Sequence, residues 1–344
     1  MKNEELRPVR ESGGGRICYL DALRGLAILL VIEGHVRLFG FGIKSYDTMS
    51  ALMLYSLDLP LFFFISGLFA YRPNLSTKEI LNNIVKKLKF LVLPAIVFSV
   101  VSNLIKHQNV FNPLFFGFKK YWFTITLFEC FLLYYATQII IPLQKRSKYV
   151  MIVLIVISVV FIGLLSTTGG IGPKLIDTNH LFKYFYFFVF GMIACKYKHV
   201  FDSMVYNEYL RACCVIGFFT LLILLDYQIW PSPLFHLLRD IILRVLGTLM
   251  IVILFVSHSA MFEKSGKMTR LLVDIGKKSL PIYLLQYFFM PNFKTFPEFL
   301  NGTDLFTIHV IAAIYTVLIT MTCYVFLKVM EQSKFVRTYV LGLK

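Results

Sequence analysis

The sequence predicts an all-α, polytopic membrane protein of about ten transmembrane helices, and three observations predict it. Hydrophobic residues make up 58% of the 344 residues and charged residues only 16%, against about 25% charged in an ordinary soluble domain. The mean hydropathy is +0.72. The apolar stretches are long and unbroken, as helices need if every backbone group is to be satisfied inside lipid. They are not the short alternating segments of a barrel.

The elements follow in order. Residues 1–19 are polar and basic, include Ser12-Gly13-Gly14-Gly15, and predict a flexible tail with no cleavable leader. Ten stretches come next, each near the ~20 residues that cross the hydrocarbon layer. They lie at about 20–42, 51–70, 87–105, 121–143, 149–165, 181–195, 212–229, 238–258, 271–291 and 305–327. The sixth is short, and Pro281 is expected to break the ninth. With the first tail inside, the inner segments hold 24 Lys and Arg residues and the outer segments 7. That alternation predicts both termini in the cytoplasm. The chain then divides into a tail (1–19), a transmembrane domain (20–327) and a cytoplasmic C-terminal tail (328–344). Two outer loops, 106–120 and 166–180, carry turn-forming runs at Asn109–Pro113 and Thr168–Pro173, suited to shaping an outer pocket.

The formal charge of +16 needs no nucleic acid. Inner loops and attraction to anionic membrane lipid account for it. The six cysteines form no CxxC pair and read as small packing residues, so no metal site is expected.

The first span is the unusual one. Arg24 and His35 are eleven residues apart, about 16 Å along a helix and nearly on one face. Ionisable groups inside a bilayer are costly and mark function. Asp21, one turn below Arg24, is placed to hold its guanidinium. Glu33 lies on the opposite face and is expected to pair with a cation on another helix. Asp58 in the second span lies at the depth of His35 and is the candidate to orient it as a general base. Further candidates are Trp122 and Glu129 in the fourth span, and Arg239 and Arg244 in the eighth. The arginines suit either internal carboxylates or an acidic acceptor.

Several runs together resemble the membrane-bound acyltransferase-3 family. Leu20-Asp21-Ala22-Leu23 precedes Arg24 and His35, and Pro60-Leu61-Phe62-Phe63-Phe64-Ile65-Ser66-Gly67 is similar to that family's second-span motif. Tyr121-Trp122-Phe123, Phe187-Phe188-Val189-Phe190-Gly191 and Ser279-Leu280-Pro281-Ile282-Tyr283-Leu284-Leu285 match its later patterns. The sequence departs from the pattern at Gln286, where many members have His, and at Asp58, where related sugar acetylases often have His. The resemblance implies transfer of an acyl group, usually acetyl, from cytoplasmic acetyl-CoA to a carbohydrate or lipid-linked glycan hydroxyl, in a bacterial cytoplasmic membrane. His35 and Asp58 would then be catalytic. Arg24, with Arg72, Lys86, Lys87 and Lys89, would offer cations to the CoA phosphates, and Trp122, Glu129, Arg239 and Arg244 would meet the acceptor. A glycan or lipid transporter is the alternative, although no internal repeat of the transporter kind is visible.

Overall fold

The computed structural model describes residues 17–44, 48–72, 74–107, 120–168, 178–224, 233–263, 266–293 and 304–343. The first tail to residue 16 and the turn-forming runs 109–113 and 169–173 lie outside them. The described residues form helices and no strands. Six helices are long and apolar enough to cross a membrane, or seven if one bent pair counts as a single span. The chain is a multi-pass membrane protein. On one of the six, Ile152, Val153, Val156, Val159 and Val160 remain exposed, an apolar surface that suits lipid rather than water.

Helix α1 (Cys18–His35) continues into a π-helical turn, Val36–Phe41, that stops at Gly42 in the left-handed conformation. It carries Asp21, Arg24 and Glu33 and is not among the six. Helix α2 is Met49–Ala70. Helix α3 (Thr77–Lys87) opens on a Ser76/Glu79 capping box, which satisfies two of its orphan backbone donors, and leads into α4 (Leu93–Ile105). Next come α5 (Trp122–Ile140), α6 (Arg146–Thr168) and α7 (Thr178–Lys196). The inner loop expected at 196–211 instead contains a helix, α8 (Lys198–Val205), set at 75° to the helix that follows. That helix is α9 (Glu208–Leu224), followed by α10 (Pro233–Ser257).

The ninth expected span is not one helix. A short helix, α11 (Ser259–Glu263), precedes α12 (Lys267–Lys277), and α13 (Ser279–Leu285) follows after the break at Lys278. Pro281 explains the break's position. Its ring excludes the carbonyl of residue 277 and it donates no hydrogen bond, so the helix interrupts one turn ahead of it. The last long helix, α14 (Leu305–Met330), is capped by Asp304, whose side chain accepts from the Thr307 amide.

Close helix crossings set the core. A Cβ on Gly67 of α2 would sit 2.0 Å from the Phe188 carbonyl of α7, and one on Gly191 of α7 would sit 2.0 Å from the Phe64 carbonyl of α2. The two glycines therefore let the two backbones touch, as small residues do at membrane helix crossings. A Cβ on Gly25 of α1 would meet the Leu272 carbonyl of α12 at 2.2 Å, and one on Gly276 of α12 would meet the Asp21 carbonyl of α1 at 1.7 Å. This second crossing brings Arg24 beside Lys277 and Lys278.

Candidate functional site

Arg24 sits one turn from Asp21 on α1, and its Nη1 donates to Asp21 Oδ1 at 3.1 Å. The guanidinium also lies 4.8 Å from the centre of the Phe69 ring. It lines a cavity of about 710 Å³, within the range of small-molecule sites. Arg72, Lys86 and Lys87 line the same cavity, so one space collects four of the five cations expected to bind CoA. Lys89 is outside the lining: its ammonium packs 4.2 Å from the Tyr339 ring centre. Its place is taken by three cations that sequence reasoning left among the ordinary inner-loop charges, Lys277, Lys278 and Arg337. The lining thus holds seven cations, and three carboxylates pair with them: Glu331 with Lys278 at 2.7 Å, Asp274 with Lys277 at 2.9 Å and Asp21 with Arg24, so positive charge stays in excess. Such an excess attracts a polyanion.

Beyond this basic mouth the lining turns apolar, with Val31, Leu59, Phe62, Phe123 and Leu127, and with the hydroxyl of Ser66. Val31 is one helical turn from His35. Tyr283 also lines the cavity, its ring centre lies 5.9 Å from that of Tyr287, and the Tyr287 ring lies 5.1 Å from His35. The cavity therefore runs from Arg24 towards the aromatic group that packs on His35.

His35 makes its side-chain hydrogen bond with Gln286, Nδ1 to Oε1 at 3.2 Å. Gln286 is fully buried, and its Nε2 donates to the Tyr283 carbonyl at 3.1 Å. A carbonyl only accepts, so the amide orientation is fixed and Oε1 must face the histidine. Nδ1 is then the protonated nitrogen, and Nε2 keeps its lone pair. The residue that departs from the family pattern is thus the partner of the histidine.

This corrects the expected Asp58–His35 pair. The depth was right: a Cβ on Gly34 would lie 4.0 Å from Asp58 Oδ2. The direction was not, because α2 approaches the Gly34 side of α1, while His35 faces α13 and the turn after it. Asp58 Oδ1 accepts from the Leu59 amide at 2.6 Å, and the charges of Arg244 and Lys183 act on the carboxylate. A second expectation is corrected at Glu33. It pairs with Arg37 on its own helix, one turn on, an i,i+4 arrangement that needs no other helix. Arg37 also donates to Ser50 at 3.0 Å, and Ser50 bonds His309 at 2.8 Å, tying α1, α2 and α14 together.

Of the acceptor-side candidates, Arg244 and Trp122 meet through Tyr184. Arg239 pairs with its chain neighbour Asp240 at 2.9 Å. Arg244 lies 5.9 Å from the Tyr184 ring centre. Tyr184 stacks on Phe63 at 5.0 Å and on Trp122 at 5.7 Å, and Trp122 stacks on His180 at 3.6 Å. Glu129 is half-buried on the Trp122 face of α5, two turns further along. Lys183, which belongs to the same charge cluster through Asp58, Asp240 and Arg244, was missed because a single lysine in an aromatic run gives no pattern.

Fold and site together define a multi-pass helical membrane protein with a basic-mouthed cavity leading towards a half-buried histidine. Residues 17–327 match the acyltransferase family 3 model, described as an acyltransferase domain, and the chain belongs to this family of membrane acyltransferases. No curated protein and no solved structure gives a match.

Proposed function

We propose that the protein moves an acyl group, most simply acetyl, from cytoplasmic acyl-CoA to a hydroxyl of an extracytoplasmic or lipid-linked carbohydrate. It would do so from a bacterial cytoplasmic membrane, with ten spans and both termini inside. The observation that carries the reading is the cavity, in which seven cations gather at one end and an apolar bore extends to within one turn of His35 at the other. Acyl-CoA has the matching shape, a phosphate-bearing nucleotide head and a long thin arm that ends in the thioester. Arg24, Arg72, Lys86, Lys87, Lys277 and Lys278 hold the head by charge-assisted hydrogen bonds.

In this reading His35 Nε2 takes the proton of the acceptor hydroxyl as that oxygen attacks the thioester carbonyl. The new O–C bond forms, the C–S bond breaks, and the imidazolium returns the proton to the leaving thiolate. Gln286 holds the productive tautomer throughout. Trp122 with His180 and Tyr184 offers a stacking platform for a sugar ring. Arg239, Arg244, Glu129 and Asp58 line the approach as polar groups.

The test is mass spectrometry of surface glycans with and without the gene. Loss of acetyl groups from an otherwise intact glycan supports the reading. Disappearance of the whole glycan from the surface overturns it in favour of export. Two variants separate the roles. Gln286→Leu should lower kcat about tenfold or more, with KM for acetyl-CoA changed less than threefold, and Gln286→Glu, which keeps an acceptor at Nδ1, should recover part of the loss. Equal activity of Gln286→Leu and wild type would remove the tautomer argument. Asp58→Asn should leave CoA binding by calorimetry unchanged while turnover falls; a parallel loss of CoA affinity would place Asp58 on the donor side instead.

A further inference from the structure

Residues 328–343 lie beyond the family-matched region 17–327, and composition alone reads them as a tail. Their structure is different. After α14 the chain turns back. Leu341 is fully buried, and its amide donates to the Val336 carbonyl at 2.9 Å. The Leu343 amide donates to the Arg337 carbonyl at 2.9 Å, which closes residues 337–343 into a compact turn. Gly342 has φ +63, a conformation that suits glycine, and a Cβ there would come within 2.7 Å of the Phe90 carbonyl. The segment is thus seated on the start of α4 by a contact that only glycine permits. Glu331 anchors its beginning through the ion pair with Lys278 at the α12–α13 break.

Four residues of this segment, Glu331, Arg337, Gly342 and Leu343, line the same 710 Å³ cavity as Arg24. Resting on the donor-site reading above, we infer that residues 331–343 form a wall of the acyl-donor site and that Arg337 is a ligand for a phosphate of the CoA nucleotide. A guanidinium presents several donors in a fixed plane that matches phosphate oxygens, and Arg337 stands at the mouth, where it is exposed and reachable by the head group. Leu343 and Gly342 close the side of the cavity towards Phe90. Donor affinity is therefore set partly by a segment outside the part of the chain that defines the family, and sequence change there can alter donor preference without touching Arg24 or His35.

The experiment uses the full chain in detergent and titrates it with CoA and with pantetheine, which lacks the nucleotide. Arg337→Gln should weaken CoA binding about 10- to 100-fold, the worth of one charged hydrogen bond, and leave pantetheine binding unchanged. Trypsin cleavage after Arg337 in the wild type should be slowed by saturating CoA. If wild type binds CoA and Arg337→Gln binds it equally, the wall is structural and the assignment of Arg337 fails while the donor site stands. A fall in both CoA and pantetheine binding also overturns it, because that pattern reports a distorted cavity. If wild type binds no CoA, the donor-site reading itself falls and takes this inference with it.

Discussion

His35→Ala is expected to lower acyl transfer by about 10²- to 10⁴-fold, the usual worth of a positioned general base, while CoA affinity stays within a few-fold of wild type. The split follows from the geometry. The cations that line the cavity gather at the Arg24 end, and His35 lies a turn beyond its apolar bore, so removing the imidazole leaves the head-group site intact. The fold should also survive. His35 is half-buried, and among the described residues its side-chain hydrogen bond is to Gln286. The decisive measurement is turnover of radiolabelled acetyl-CoA beside calorimetric CoA binding on the same purified variant. Retained turnover would remove His35 as the base. Lost binding together with lost turnover would show that the histidine is structural. Arg24→Ala should give the reverse pattern, a raised KM for acyl-CoA with kcat less affected.

Gly67→Ala is the second large effect, and it is structural. A methyl group at this position would stand 2.0 Å from the Phe188 carbonyl, far inside van der Waals contact, and the obstacle is backbone that cannot rotate away. Helices α2 and α7 must separate. Overpacking typically costs about 1–3 kcal/mol, occasionally more, and a wider crossing would also shift Asp58 of α2 and Lys183 of α7, whose charges act on each other. A thermal unfolding scan in detergent should show a lower midpoint, and Gly191→Ala should behave alike because its Cβ would strike the Phe64 carbonyl at the same distance. A double variant should cost less than the two single losses added, since one separation relieves both clashes. Unchanged unfolding in both single variants would mean that the crossing is looser than described.

The membrane class and the helical class are legible in the sequence, and so is the shared face of Arg24 and His35 on which the proposed site rests. Length and apolarity decide spans, because lipid allows no unsatisfied backbone, and Arg24 and His35 are legible because helical spacing puts them on one face. Local rules were legible too, including the Asp21–Arg24 pair and the helix break near Pro281. Partners between helices were not. Depth along a span can be counted from residues, but rotation about the helix axis is fixed by packing, so Asp58 was placed at the right level and on the wrong side of α1. Glycines such as Gly67 and Gly276 show only that something small is needed, and the backbone they admit is visible only once two helices are set together. The same holds for Lys277, Lys278 and Arg337. As sequence they are inner-loop charges, indistinguishable from the rest of the basic excess. Only the tertiary structure, by breaking the chain at Lys278 and turning residues 331–343 back onto α4, gathers them around one cavity.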